Sequence, residues 1–291
     1  MYDLLVEPYT LAFMQRALIA GVLSGLVAPL VGTWVVLKRL AYLGDAMGHG
    51  TIAGVAVAYL LGISIVFGAL AAAILMAGLL GLLVAHPRIR SDSAIAGAEV
   101  ALFAGGIIIL AQTGGSRLDL THILFGSILT VSAADLKVNA VLAALIVAVL
   151  LVIGRDLRDA TFDPINARLV GIRVDLVQWV LLLLIGGVVV AALQTIGLLM
   201  TIAMLVLPAA AARLWTHTVL QMSLLGAAFG ILAAVGGLTV AFHAGLPSGA
   251  VIAAVACSIL GGSAILTMGR RRQSPAGHLD ELDRNLPPSA A

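Results

Sequence analysis

Runs of about twenty consecutive apolar residues recur nine times along this chain, and they constrain its fold more than any other feature. They lie at about 17–37, 42–62, 64–85, 92–112, 135–154, 176–193, 195–215, 219–243 and 248–268. A helix of about 20 residues, rising about 1.5 Å per residue, spans the roughly 30 Å hydrocarbon core of a bilayer. In hydrocarbon every backbone N–H and C=O must be satisfied internally, which leaves only helices or closed barrels. Barrel strands would alternate in polarity over about 10 residues, and these runs do not. The expected fold is therefore all-α: a polytopic membrane bundle over residues 1–269, followed by a tail at 270–291. The second and third runs, and the sixth and seventh, are joined so tightly that either pair fits a helical hairpin or a re-entrant segment. Eight spans is the alternative count.

Composition closes off other classes. Of 291 residues, 62% are hydrophobic and 10% charged, against roughly 25% charged in soluble domains. Disorder over the whole chain would need low hydrophobicity. The single cysteine, Cys257, can form no internal disulfide. A formal net charge of +2 supplies no basic face for nucleic acid. The first fifteen residues carry Asp3 and Glu7 but no Lys or Arg, so no secretory signal is expected.

Lys and Arg collect in cytoplasmic loops. With the N-terminus outside and nine spans, the inner segments hold Lys38, Arg39, Arg88, Arg90, Arg155, Arg158, Arg168, Arg173, Arg213, Arg270, Arg271, Arg272 and Arg284, thirteen in all. The outer segments hold Arg16, Arg117 and Lys137, which is three. That asymmetry predicts an outer N-terminus and a cytoplasmic tail in a cell membrane. The tail opens on Arg270-Arg271-Arg272 and reads as solvated and unstructured. Residues 113–134 would lie outside, with the apolar stretch 123–130 dipping back toward the protein. Residues 155–175, with four Arg and four Asp, would lie inside. Small residues at Gly21/Gly25 and Gly226/Gly230 have the spacing that lets helices pack closely.

An ionisable side chain at the middle of a span costs roughly 2.5–3.5 kcal/mol on insertion scales, so each one asks for a reason. Asp45 and His49 stand four apart in the second run, on one helix face. Carboxylate plus imidazole suits Zn²⁺ and accommodates Mn²⁺ or Fe²⁺. The alternative is a buried pair that satisfies itself. Gly44, Gly48 and Gly50 beside them leave space or permit a helix break. Glu99, in the fourth run, either lines a polar pathway or pairs with a neighbour. His243 ends the eighth run near the outer side, where an interfacial side chain is the plainer reading. His122 reads as an outer-loop surface residue; His86, His217 and His278 read as solvated; Cys257 reads as a packing residue. Pro208 interrupts the seventh run and kinks it, and broken helices line substrate paths in transporters. Gln194-Thr195, just before that run, can satisfy freed backbone groups near the same path. No GxxxxGK[ST] loop is present, so ATP-driven transport would need a separate ATPase chain. No HExxH motif supports an intramembrane metalloprotease.

The residues in order resemble the permeases of zinc and manganese ABC importers. Gly44-Asp45-Ala46-Met47-Gly48-His49 is similar to that family's GDALSH motif, and Trp34–Arg39 precedes it as FVVLRR does. Asp92-Ser93-Ala94-Ile95 falls where the family leads one to expect it. Leu124–Leu129 resembles LFGNIL, Phe162-Asp163-Pro164 with Ala167 and Gly171 resembles FDPE-A---G, and Leu193–Gly197 and Leu207–Ala210 resemble LQAVG and IPAATA. The likeness runs from about residue 13 to 268. It implies a transport subunit rather than an enzyme, with no permanently bound cofactor and with Zn²⁺ or Mn²⁺ as cargo. It implies a cytoplasmic ABC ATPase, an extracytoplasmic metal-binding protein and a second permease copy as partners. Asp45 and His49 map onto the family's intramembrane ligands. Phe162, Asp163, Pro164, Ala167, Arg168 and Gly171 map onto the segment that couples to the ATPase, and Glu99, Gln194 and Pro208 are assigned to the pathway. One departure stands out: Gly245 occupies the position of the family's aspartate near the end of the eighth span. His243 is the nearby candidate for the third ligand, and an imidazole there would tilt the cargo toward zinc.

Two other transport classes fit the same composition. A proton-driven secondary metal transporter would use Asp45, His49 and Glu99 and would need no ATPase. A permease for metal chelates or cobalamin would not need the Asp45/His49 pair.

Overall fold

The computed structural model describes residues 7–84, 86, 88–111, 131–193 and 197–272. Among these there are ten α-helices and no strand: α1 Ala12–Leu37, α2 Ala41–Leu61, α3 Ile65–Val84, α4 Ser91–Ala111, α5 Ala133–Phe162, α6 Pro164–Leu169, α7 Val174–Leu193, α8 Leu198–Arg213, α9 Val219–Ala244 and α10 Ser248–Arg272. Nine of them coincide with the nine apolar runs, and α6 is a short extra helix. The outer segment around Ile123–Thr130, His122, Gln194-Thr195 and the tail with His278 lie outside the described residues.

Seven helices, α1, α3, α4, α5, α7, α9 and α10, are long and apolar enough to cross a membrane. The other two miss for different reasons. At 16 residues α8 is short, extending only about 24 Å at 1.5 Å per residue. The 21 residues of α2 suffice in length, but Asp45, His49 and four glycines interrupt its apolar run. The helix runs unbroken through these glycines, and Gly44, Gly50 and Gly54 serve close packing against neighbouring helices, not a break. The largest boundary difference is at α5, which continues eight residues beyond the apolar run to Phe162. Residues 155–162, expected as loop, are helical because Arg155-Asp156-Leu157-Arg158-Asp159 interposes charge without a glycine or proline to stop the helix.

Helices α1 and α7 are central. Helix α1 packs on α8 and α9 and touches α5 and α7, whereas α7 joins α2, α3 and α5 to that group. The α1–α9 crossing is set by Gly25 and Gly230: a Cβ on Gly25 would stand 2.7 Å from the Gly230 carbonyl oxygen. Backbones can approach this closely only where both helices present hydrogen atoms, as in small-xxx-small pairs. Gly54 and Gly68 make the equivalent contact between α2 and α3.

Polar ties fasten the two ends of the bundle. At one end Lys38 Nζ donates to Gln178 Oε1 at 2.6 Å, and Arg213 Nη1 donates to the Val36 carbonyl at 3.4 Å. At the other, the Tyr9 hydroxyl meets Thr239 Oγ1 at 2.7 Å. Lys38, Arg39 and Arg213 thus share the end expected to face the cytoplasm.

Candidate metal site

Helices α2 and α4 pack along much of their length. Their contact brings Tyr42 and His49 of α2 beside Glu99 of α4. On α2, Tyr42, Asp45 and His49 follow one another at i, i+3 and i+7 and line one face. The opposite face, with Leu43, Met47 and Thr51, is fully buried. From α4 comes Glu99.

The three ionisable groups converge. His49 Nδ1 lies 3.4 Å from Asp45 Oδ1 and 3.2 Å from Glu99 Oε1. One ligand atom from each residue falls within 4.8 Å of the others. His49 Nδ1 is buried yet makes no hydrogen bond, so the two carboxylates crowd it without satisfying it. A buried polar nitrogen left so is costly, and a cation held among three donors removes that cost. The edge of one ring meets the face of the other where His49 packs on Phe103, with centroids 5.5 Å apart and planes at 81°. The other oxygen of Glu99, Oε2, accepts a hydrogen bond from the Tyr42 hydroxyl at 2.8 Å. Side-chain exposures of 34%, 30% and 14% for Asp45, His49 and Glu99 leave the group reachable from one side. With two carboxylates and one imidazole, this group can hold a divalent cation and leave several positions to water.

His243 stands apart. It is exposed near the end of α9, its Nδ1 is 2.9 Å from the Thr239 carbonyl, and its ring packs on Phe242. Among the described residues it does not belong to the converging group, whose third member is Glu99. Pro208 is buried inside α8, which continues past it to Arg213. Exposed His86 and His217 agree with the solvated reading. Cys257 is exposed on α10, not packed in the core as its residue type led one to expect. Sequence reasoning missed Tyr42 and Phe103; the signal for Tyr42 was its helical phase with Asp45 and His49.

At the end of α5 the chain folds into α6 by local rules. Asp163 caps α6 by accepting from Asn166 N at 2.9 Å, and Pro164 takes the first helical position. Gly171, at φ 94°, ends it. The bonds Gly171 N to Arg168 O (3.1 Å) and Ile172 N to Ala167 O (2.9 Å) form a Schellman motif. Ala167 is buried, whereas Phe162, Ile165, Leu169 and Val170 are exposed. Asp163, Pro164, Ala167 and Gly171 thus each have a backbone or packing task, and Phe162 belongs to the apolar surface left over.

The family model described as the ABC 3 transport family matches residues 10–266. The chain belongs to that family. It is a multi-pass membrane permease. It is 36% identical over 248 residues to a manganese transport system membrane protein, MntC of Halalkalibacterium halodurans, covering 85% of each chain. It is 32% identical to a chelated iron transport system membrane protein, YfeD of Yersinia pestis, over 84% of this chain and 82% of that one. Among solved structures it is similar to PsaBC from Streptococcus pneumoniae in complex with Fab, with a TM-score of 0.81 at 31% identity, covering 90% of this permease and 94% of that chain.

Proposed function

We propose that this permease is the membrane subunit of an ATP-driven importer of divalent transition metal, with manganese as its cargo. The observation that carries this reading is the convergence of Asp45, His49 and Glu99 on one point between α2 and α4. Carboxylate oxygen is the ligand type that manganese favours, and imidazole that of zinc. The expectation of zinc rested on His243 replacing a carboxylate. Glu99 makes that replacement unnecessary and brings the site to two carboxylates and one imidazole. The relatives named for manganese and for chelated iron support the same choice.

The ion arrives from an extracytoplasmic binding protein, sheds most of its water and is held briefly by the three groups. Three donors from two helices leave coordination positions open, unlike a closed structural zinc site of four protein ligands. Small shifts of α4 against α2 would separate the donors and free the ion. Gln194 and Pro208 are assigned to the pathway. A cytoplasmic ATPase docks on the exposed surface of α6, where Phe162 and Arg168 face outward and Asp163, Pro164, Ala167 and Gly171 hold the helix in shape. A second permease copy completes the membrane part. The N-terminus is outside; residues 155–175 and the tail are inside, as the thirteen-to-three Lys/Arg split indicates. A proton-driven transporter would leave the α6 surface without a partner, and the family membership argues for the ATPase.

The test is uptake of labelled manganese by cells carrying the full transporter, in competition with zinc and iron(II). Manganese uptake resisting a tenfold excess of zinc supports the reading. Preferential zinc uptake would replace manganese as the cargo.

A further inference from the structure

We propose that Tyr42 is a specificity-determining residue: by holding one oxygen of Glu99, it limits that carboxylate to a single metal bond and so selects against calcium. This rests on the reading of Asp45, His49 and Glu99 as the ion site.

The two oxygens of Glu99 have divided roles. Oε1 faces His49 Nδ1 at 3.2 Å, inside the converging group. Oε2 is taken by the Tyr42 hydroxyl at 2.8 Å. A phenol donating to a carboxylate fixes the rotation of the carboxylate plane, which otherwise turns easily about its last torsion. Tyr42 lies one turn before Asp45 on the same face of α2, so it closes the end of the group nearer the start of that helix. Its ring is half exposed, which leaves the hydroxyl as its specific contribution to the site.

Calcium takes six to eight oxygen ligands at about 2.3–2.6 Å and readily uses carboxylates through both oxygens. Manganese is satisfied by mixed nitrogen and oxygen donors with water in the remaining positions. A glutamate confined to one oxygen supplies too few donors for calcium at little cost to manganese. Without the hydroxyl, Glu99 can turn and offer both oxygens, and calcium gains more than manganese does. Outer partners of metal ligands typically alter metal affinity by about 10–100-fold.

The experiment compares the full-length chain, Tyr42→Phe and Glu99→Gln. Free manganese is followed by electron paramagnetic resonance while calcium is titrated against it, and labelled manganese uptake under calcium is measured in the whole transporter. The expected result is that Tyr42→Phe lowers the calcium concentration for half-displacement by about tenfold or more. An unchanged calcium-to-manganese ratio in Tyr42→Phe overturns the proposal, even if uptake falls, since a merely structural role weakens both ions alike. Complete loss of manganese binding in that variant overturns it too. Glu99→Gln separates the two levels: manganese binding at the wild-type level there removes the ion-site reading itself. Impaired binding in Glu99→Gln with an unchanged ratio in Tyr42→Phe removes only the role of Tyr42.

Discussion

His49 Nδ1 and Glu99 Oε1 stand 3.2 Å apart, although they belong to different helices and are fifty residues apart in the chain. That single approach joins an Asp–His pair on one helix to a carboxylate of another, a group of three potential donors. An ion held there, as proposed, would depend on how α2 and α4 are aligned, which would let a transporter bind and then release it.

The α1–α9 crossing should be intolerant of side chains. Gly230→Val would push a Cβ into the Gly25 carbonyl and against Pro29. Overpacking of this kind costs about 1–3 kcal/mol, so the melting temperature of the detergent-solubilised protein should fall by several degrees. Gly78→Ala, where an added Cβ meets nothing within 4 Å, is the control and should melt at or slightly above the wild type, since Ala is the better helix former.

Docking through α6 has a separable signature. Replacing Phe162 and Arg168 together removes an exposed ring and an exposed charge, the latter 3.2 Å from Asp175. That ion pair is solvent-exposed and contributes little to stability, so the variant should fold and bind metal while ATP hydrolysis no longer drives uptake. Wild-type uptake would count against the docking surface. Gly171→Ala acts differently: its φ of 94° is unfavourable for any residue with a Cβ. It should destabilise the α6 turn by about 1 kcal/mol, read as faster exchange of the amides at positions 171 and 172.

Lys38 gives a pH dependence. Burial holds its ammonium below the ordinary lysine value of 10.5. The folded protein therefore releases this proton at lower pH than the unfolded chain does. Below the folded value the cost of burying the charge is present in full. Between the folded value and 10.5 that cost fades as pH rises, so the fold gains stability. The melting temperature of the wild type relative to Lys38→Met should thus increase as the pH is raised toward 10.5. A constant difference would mean that Gln178, bonded to Nζ at 2.6 Å, offsets the burial.

Much of this was legible in the sequence, for identifiable reasons. Apolar runs the length of a bilayer announce membrane helices directly, and nine helices lie where the nine runs do. Asp45 and His49 were legible because their spacing of four residues is a local property of one helix. The α6 turn was legible because Asp163, Pro164 and Gly171 act on their own backbone. The place of Glu99 was not, because the pairing of α2 with α4 is set by tertiary packing such as the approach of Gly106 to Ala53. His243 attracted attention by chemistry and by position in the chain, but the end of α9 belongs to a different part of the bundle. Tyr42 was hidden because a tyrosine near a helix start ordinarily marks the membrane interface.

On the proposed function, Glu99 and not His243 completes the site with Asp45 and His49. Uptake of labelled manganese by cells expressing Asp45→Ala, His49→Ala, Glu99→Ala or His243→Ala, with equal membrane levels verified, tests it most directly. Uptake should fall by about a hundredfold or more in the first three, at or beyond the upper end for outer partners of a metal, and by less than about threefold in His243→Ala, a distant surface group. Wild-type uptake by Glu99→Ala together with loss in His243→Ala would contradict it.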